Sequence, residues 1–250
     1  MEGSVPGPQQ LDSVSVVLVR ARNPGNIGAV ARAMHDFGFR DLRVVNEYPV
    51  PFAAARSAVD ASEVIKGAKE FGSLAEAVAD CNLVVGTTAV GERALQHPLY
   101  GLAEAAEQIN RVVADEGRVA LLFGSEKTGL SNDELSHCHW LMTIPMHTHE
   151  GLRHASMNLG QAVAVCLYEL VRGAEAPVGA SALTAEAGEV ERLQSLLTEV
   201  LHETGYTARH PANCDEAQIR RLVLRMGLAA KDVPVWMGIL RQILWKTRKG

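Results

Sequence analysis

The sequence predicts an α/β fold with a mostly parallel sheet flanked by helices, and three observations carry that reading. Short apolar runs rich in β-branched residues alternate with segments of helical periodicity over the first two thirds of the chain. The runs are nearly continuous rather than alternating, as strands covered on both faces are. Glycines or small polar residues stand where each run stops, which places a ligand crevice at the carboxyl ends of the strands.

Residues 1–13, rich in Gly, Pro and Gln, read as a loose leader, and Val14 to Val19 as the first buried strand, running into the tight loop Arg22-Asn23-Pro24-Gly25-Asn26. From Asn26 the spacing of Ile27, Val30, Ala31 and Met34 predicts a helix, with Gly38 as its stop and Leu42 to Val45 as the next strand. Ser73 with Glu76 predicts a capping box for a helix through about Ala79, then a strand Leu83 to Val85 with Gly86-Thr87-Thr88 as its terminal loop. Leu102 to Val113 follows as a helix. Arg118 to Phe123 is the clearest buried strand, ending in Gly124, and Ser131 with Glu134 caps the short helix behind it. Trp140 to Ile144 is another strand, closed by Pro145, and Ser156 to Val171 a long apolar helix.

This α/β domain is expected over residues 14–173, followed by a Gly/Ala/Pro/Ser linker over 174–183 and a helical extension over 184–250. In the extension, Thr184 to Thr204 is amphipathic, Asn213 with Glu216 opens a second helix, and Asp232 with Pro234 a third.

A net charge of −5 gives no global attraction to nucleic acid, so any such binding must come from local clusters of Lys and Arg. One cluster exists: residues 220–250 carry eight basic side chains and one acidic one. It reads equally as a phosphate-binding arm and as a solvated helix face with a frayed tail. The four cysteines are widely spaced, which predicts reduced thiols rather than a zinc site or disulfide framework. No stretch resembles a signal peptide and no run of about 18 apolar residues could span a bilayer, so a cytoplasmic location is expected. His147, His149 and His154 with Glu150 are too loosely spaced for a metal site, and a polar loop over a pocket is the better reading. The chain lacks GxSxG, a Walker loop, HExxH and a GxGxxG after the first strand, against a hydrolase, an NTPase and a nicotinamide dehydrogenase.

Three segments concentrate the chemistry. Asn26-Ile27-Gly28-Ala29-Val30-Ala31-Arg32 is either an Asn-capped helix with a surface arginine or part of a site. Phe123-Gly124-Ser125-Glu126-Lys127-Thr128-Gly129-Leu130 puts a carboxylate in a strand-loop-helix crevice, or is a turn that needs two glycines. Ser156-Met157-Asn158 begins a helix at the same sheet edge, or merely caps it.

In order, spacing and wording the three segments resemble those of the SpoU/TrmH group of SPOUT RNA 2′-O-ribose methyltransferases: an N-x-G-x-x-x-R helix start, an F-G-x-E-x-x-G-L loop and an S-x-N helix start. The likeness spans about Val14 to Leu170, and the helical extension is most similar to that of the TrmJ branch, which methylates tRNA at anticodon-loop position 32. The resemblance implies a knotted α/β domain binding S-adenosylmethionine, and a homodimer whose active site draws on both subunits. By matching position it implies a functional set of Asn26, Arg32, Glu126, Ser156 and Asn158. Thr87, Thr88, Gly124, Ile144, Met157 and Leu159 would lie against the methyl donor. Ser125 and Ala155 depart from residues frequent in the group, which bears on RNA contacts there.

A ribose hydroxyl attacking a sulfonium methyl needs alignment and electrostatics above all. Arg32 is therefore expected to orient the ribose and stabilise the incipient alkoxide, since guanidinium groups stay cationic. Ser156 and Asn158 would hold the ribose and the first motif, and Glu126 would pin nearby backbone amides or Arg32. Arg20, Arg22, Arg220, Arg221, Lys246 and Arg248 are the candidate RNA contacts, with tRNA the expected substrate. The alternatives are a ribosomal RNA substrate for the same fold and a non-catalytic RNA-binding module.

Overall fold

The computed structural model describes residues 8–46, 62–89, 96–146, 157–172 and 184–249. Seven strands form one parallel sheet in the order β3-β2-β1-β6-β4-β7-β5. They are β1 (Val14–Val19), β2 (Asp41–Val45), β3 (Lys69–Phe71), β4 (Leu83–Thr87), β5 (Leu99–Gly101), β6 (Val119–Phe123) and β7 (Trp140–Thr143). The central strands β1 and β6 are buried along their whole length, which explains their unbroken apolar runs.

Among the described residues the α-helices are α1 (Pro8–Leu11), α2 (Pro24–Asp36), α3 (Ser62–Gly67), α4 (Leu74–Val78), α5 (Leu102–Ala114), α6 (Asn132–Ser136) and α7 (Leu159–Val171), then α8 (Ala187–Glu203), α9 (Tyr206–Arg209), α10 (Glu216–Arg225) and α11 (Val233–Lys249). One sheet face is covered by α2, α5 and α7, where Ile27, Met34, Ile109, Val163 and Leu167 are fully or almost fully buried against Val16, Leu18 and Leu121. The other is covered by α4 and α6, through Leu74, Val78 and Leu135. Helices α8, α10 and α11 enclose a third apolar cluster around Leu193, Val223 and Leu240.

Several boundaries differ from those expected. Within the stretch read as a loose leader, Pro8–Leu11 is a helix turn, Leu11 packs on the core, and the Ser13 carbonyl accepts the Val119 N–H. Helix α2 starts at Pro24, not Asn26. Asn23 is its cap and Pro24 occupies the first turn, where its missing N–H costs nothing. Strand β4 runs on through Gly86 and Thr87, because Gly86 fits where a Cβ would lie 2.8 Å from Cys138 Sγ and Leu141 Cδ2. Helix α7 opens at Leu159 with Asn158 as its cap, and α10 is capped by Asp215 rather than Asn213. The capping box Ser131/Glu134 is present as expected, whereas Ser73 caps α4 by its hydroxyl alone. The strands β3 and β5 are short and partly exposed at the sheet edges, too brief to carry a period.

The expected linker at 174–183 lies outside the described residues. The helices after it are docked on the α/β domain: the Ala187 and Gly188 N–H groups donate to the Cys81 and Ala79 carbonyls at 2.7 Å, and Asn82 Nδ2 donates to the Thr184 carbonyl at 2.8 Å. The knot implied by the resemblance depends on the path between β7 and α7, of which residues 147–156 lie outside the described residues.

Candidate active site

The carboxyl ends of β1, β6, β4 and β7 are neighbours in the sheet, and the three motif segments meet there. Leaving β1, the chain turns at Arg20, a non-glycine residue with φ of 57°, and enters α2 through Asn23, whose Oδ1 accepts the Gly25 N–H at 2.9 Å. With Asn23 doing the capping, the side chain of Asn26 in the first turn is left to reach outward.

It bridges the other two motifs. Asn26 Nδ2 donates to Glu126 Oε1 at 2.8 Å, and Asn158 Nδ2 donates to Asn26 Oδ1 at 3.2 Å. Asn158 Oδ1 in turn accepts the Gly160 N–H at 3.0 Å, so the residue that caps α7 also ties it to α2. The two helices come close because of Gly160, whose Cβ, if present, would lie 2.6 Å from that of Ala29.

Burial works to raise the Glu126 pKa, but hydrogen bonds from Asn26 and from the backbone at Glu126, Arg22 and Asn23 outweigh it and hold the carboxyl below its usual range. Glu126 is thus tied to the backbone of the Arg22–Asn23 loop that leads into the first motif, and its side-chain partner is Asn26.

The loop holding Glu126 is braced from within. A Cβ on Gly124 would lie 2.2 Å from the Gly129 carbonyl carbon, so only glycine lets the loop fold back over the end of β6. The Gly129 N–H donates to the Ser125 carbonyl at 2.8 Å, Gly129 has a φ of +65°, and the Ser125 and Thr128 hydroxyls lie 2.8 Å apart. On the adjacent strand ends, Thr87 Oγ1 donates to the Leu122 carbonyl at 2.8 Å and the Thr88 N–H to the Met142 carbonyl at 3.0 Å. Ile144 and Met157 are half-buried, and Leu159 is buried. These strand ends and tightly turned backbone segments lie at the carboxyl edge of a parallel sheet, the place where α/β folds of this kind bind ligands.

Arg32 is exposed on α2, with no hydrogen bond or ion pair to another described residue. Ser156 lies outside the described residues, as do Ala155 and the His147/His149/Glu150/His154 group. Among the described residues no cluster of His, Cys, Asp or Glu could hold a metal ion. Cys81, Cys138, Cys166 and Cys214 are free thiols. No helix among the described residues is long and apolar enough to cross a membrane.

The expected RNA contacts divide. Arg22, Lys246 and Arg248 are exposed and Arg221 is half-buried. Arg248 is engaged by Glu199 and Glu203 of α8. Arg220 corrects the expectation: it is 6% exposed, donates to Ser136 Oγ at 2.6 Å and pairs with Glu216 at 3.1 Å and Glu191 at 3.5 Å, fastening α10 to α6 and α8. Its charge serves docking rather than a phosphate. Arg20 is likewise engaged, with Glu134. Sequence reasoning missed Asn23 as the cap and Glu134 as the Arg20 partner. The first was legible in Asn-Pro; the second, 114 residues away, had no local signal.

Comparison with known proteins finds a matching family, similar sequences and a similar structure. The model of the SpoU rRNA Methylase family matches residues 13–168. A tRNA (cytidine/uridine-2′-O-)-methyltransferase TrmJ from Sodalis glossinidius is 35% identical over 241 residues, covering 93% of this chain and 92% of the relative. The protein of the same name from Citrobacter koseri is 36% identical over 248 residues, covering 93% and 97%. The crystal structure of TrmJ from Z. mobilis ZM4 superposes with a TM-score of 0.76 at 31% identity, covering 92% of this chain and 98% of that one.

Proposed function

The chain belongs to the SpoU rRNA methylase family, and we propose that it transfers a methyl group from S-adenosylmethionine to a ribose 2′-hydroxyl of tRNA. The observation that carries this reading is the hydrogen-bonded chain Glu126–Asn26–Asn158, which joins the three motif segments at the carboxyl end of the sheet. The expected set of Asn26, Arg32, Glu126, Ser156 and Asn158 is retained in the proposal. So is the expected division at the 174–183 linker between a catalytic domain and a helical extension.

Thr87, Thr88, Gly124, Ile144, Met157 and Leu159 would hold the donor, which when bound supplies a methyl already activated as a sulfonium. The protein's part is alignment and charge. Glu126 and Asn158 fix Asn26 and, through it, the first turn of α2. Arg32, further along that helix, would present an exposed cation to the ribose and its neighbouring phosphate, stabilising the negative charge on the 2′-oxygen as the oxygen–methyl bond forms, the methyl–sulfur bond of the donor breaks and the hydroxyl proton leaves to solvent. The enzyme acts in the cytoplasm as a homodimer, and Arg22, Arg221 and Lys246 remain its RNA contacts.

Tritium transfer from labelled donor to unmodified tRNA tests the reading, with Arg32→Ala beside wild type. Loss of transfer in the variant is expected; undiminished transfer removes Arg32 from the mechanism. Nuclease mapping of the product tests the proposed position, anticodon-loop position 32. Because the family description names rRNA, a ribosomal RNA fragment is the second substrate, and preferential transfer to it reassigns the enzyme.

A further inference from the structure

Arg20 stands at the exit of β1 with a backbone conformation that side chains disfavour, φ 57°, stabilised by its own N–H donating to the Val45 carbonyl at 2.9 Å. That turn aims the guanidinium across the sheet edge. Its Nε and Nη2 donate to the two oxygens of Glu134 at 2.5 and 2.9 Å, and Nη2 also donates to the Gly129 carbonyl at 3.1 Å. Glu134 is itself anchored, since it accepts the Ser131 N–H at 2.6 Å in the capping box of α6. The 124–130 loop is therefore held to the β1 exit at two points, through Glu126 near its start and through the Gly129 carbonyl at its end. Gly129 is the residue with positive φ, whose carbonyl direction decides where the loop's remaining backbone groups face.

We infer that Arg20 is a positioning residue that sets the 124–130 loop for the methyl donor, and that its guanidinium is not an RNA contact. The inference rests on the proposed methyltransferase function for the nature of the ligand, but the clamp is a property of the chain alone. A bidentate fork suits this task. Lysine at the same place would bring one ammonium where Nη2 stands and would lose the second arm, the Nε bond to Glu134 Oε1, and with it the fixed planar pairing that holds the clamp in one orientation.

The test compares wild type, Arg20→Ala, Arg20→Lys and Glu134→Gln. S-adenosylmethionine binding is followed by calorimetry, tRNA binding by titration over a salt series, and loop opening in the donor-free protein by tryptic cleavage after Lys127. The expected result is a rise of about tenfold or more in the donor Kd for Arg20→Ala, with Arg20→Lys and Glu134→Gln in between. Cleavage after Lys127 becomes faster in the same order, and tRNA affinity and its salt slope are unchanged. Circular dichroism and thermal melts identify a variant that does not fold, in which case the Lys and Gln variants carry the comparison. Wild-type donor affinity and wild-type cleavage rate in the folded variants overturn the inference. So does a selective loss of tRNA affinity with a shallower salt slope, which makes Arg20 an RNA contact. Failure of wild type to bind the donor instead overturns the proposed function, and accelerated cleavage in the variants would then still report the clamp.

Discussion

Asn158 donates to Asn26 across 3.2 Å, and the two residues stand 132 positions apart in the chain, one capping α7 and the other in the first turn of α2. The bond ties the N-termini of the two helices to each other at the carboxyl end of the sheet. Asn26→Ala removes this bond and the one to Glu126 together. Methyl transfer is expected to fall on the order of 100-fold, the scale of a misplaced reacting group, while stability drops by only about 1 kcal/mol because the bonds lie near solvent. Single-turnover transfer beside a urea melt separates the two; a transfer rate within threefold of wild type would contradict the assignment.

The contact of α2 with α7 depends on Gly160. A methyl group there would sit 2.6 Å from Ala29 Cβ, so the helices must part. Gly160→Ala is expected to destabilise by about 1–3 kcal/mol. Adding Ala29→Gly should restore part of the loss, since it removes the atom that is struck. Urea denaturation of the two single variants and the double variant gives the coupling, and strict additivity would refute a direct clash.

Arg220 and Lys246 should behave oppositely. Arg220→Ala loosens α10 from α6, lowering stability by about 1–3 kcal/mol given partners that are partly exposed. It should leave the salt slope of tRNA binding in place. Lys246, exposed on α11, should reduce that slope by about one when changed to Ala, with no stability change. Melting curves and a salt titration on both variants decide.

His139 and His137 predict a pH dependence. Burial pushes both down to about 4 from an ordinary value of 6.5, and His139 Nδ1 accepts the Val84 N–H at 3.0 Å, which a protonated nitrogen could not do. Between pH 6.5 and 4 the unfolded chain binds protons that the folded one excludes. Stability is therefore full above 6.5 and is lost as pH falls toward 4. Asp80, held at about 2 by Arg43 and Arg118 despite its burial, gives up its contribution only below that window. Melts from pH 7.5 to 4.5 should show the decline, and His139→Gln should remove about half of it, leaving the part due to His137, while lowering stability at pH 7.5.

The amino-acid order alone determined the α/β class, the buried strands β1 and β6, the Ser131/Glu134 capping box and the three motif segments, because these features are written in neighbouring residues. Continuous apolar runs need cover on both faces, and a cap needs its partner three residues on. What only the tertiary structure decided is which polar side chains find each other across the fold. Asn26 with Asn158, Arg20 with Glu134 and Arg220 with Ser136 are separated by 132, 114 and 84 positions. Nothing local distinguishes an arginine that will be enclosed by carboxylates from one that will face solvent. The same distance explains why the tail's basic residues read as one cluster yet split, with Arg220 inside and Lys246 outside: burial is set by the helix packed opposite, not by the residue's own neighbours.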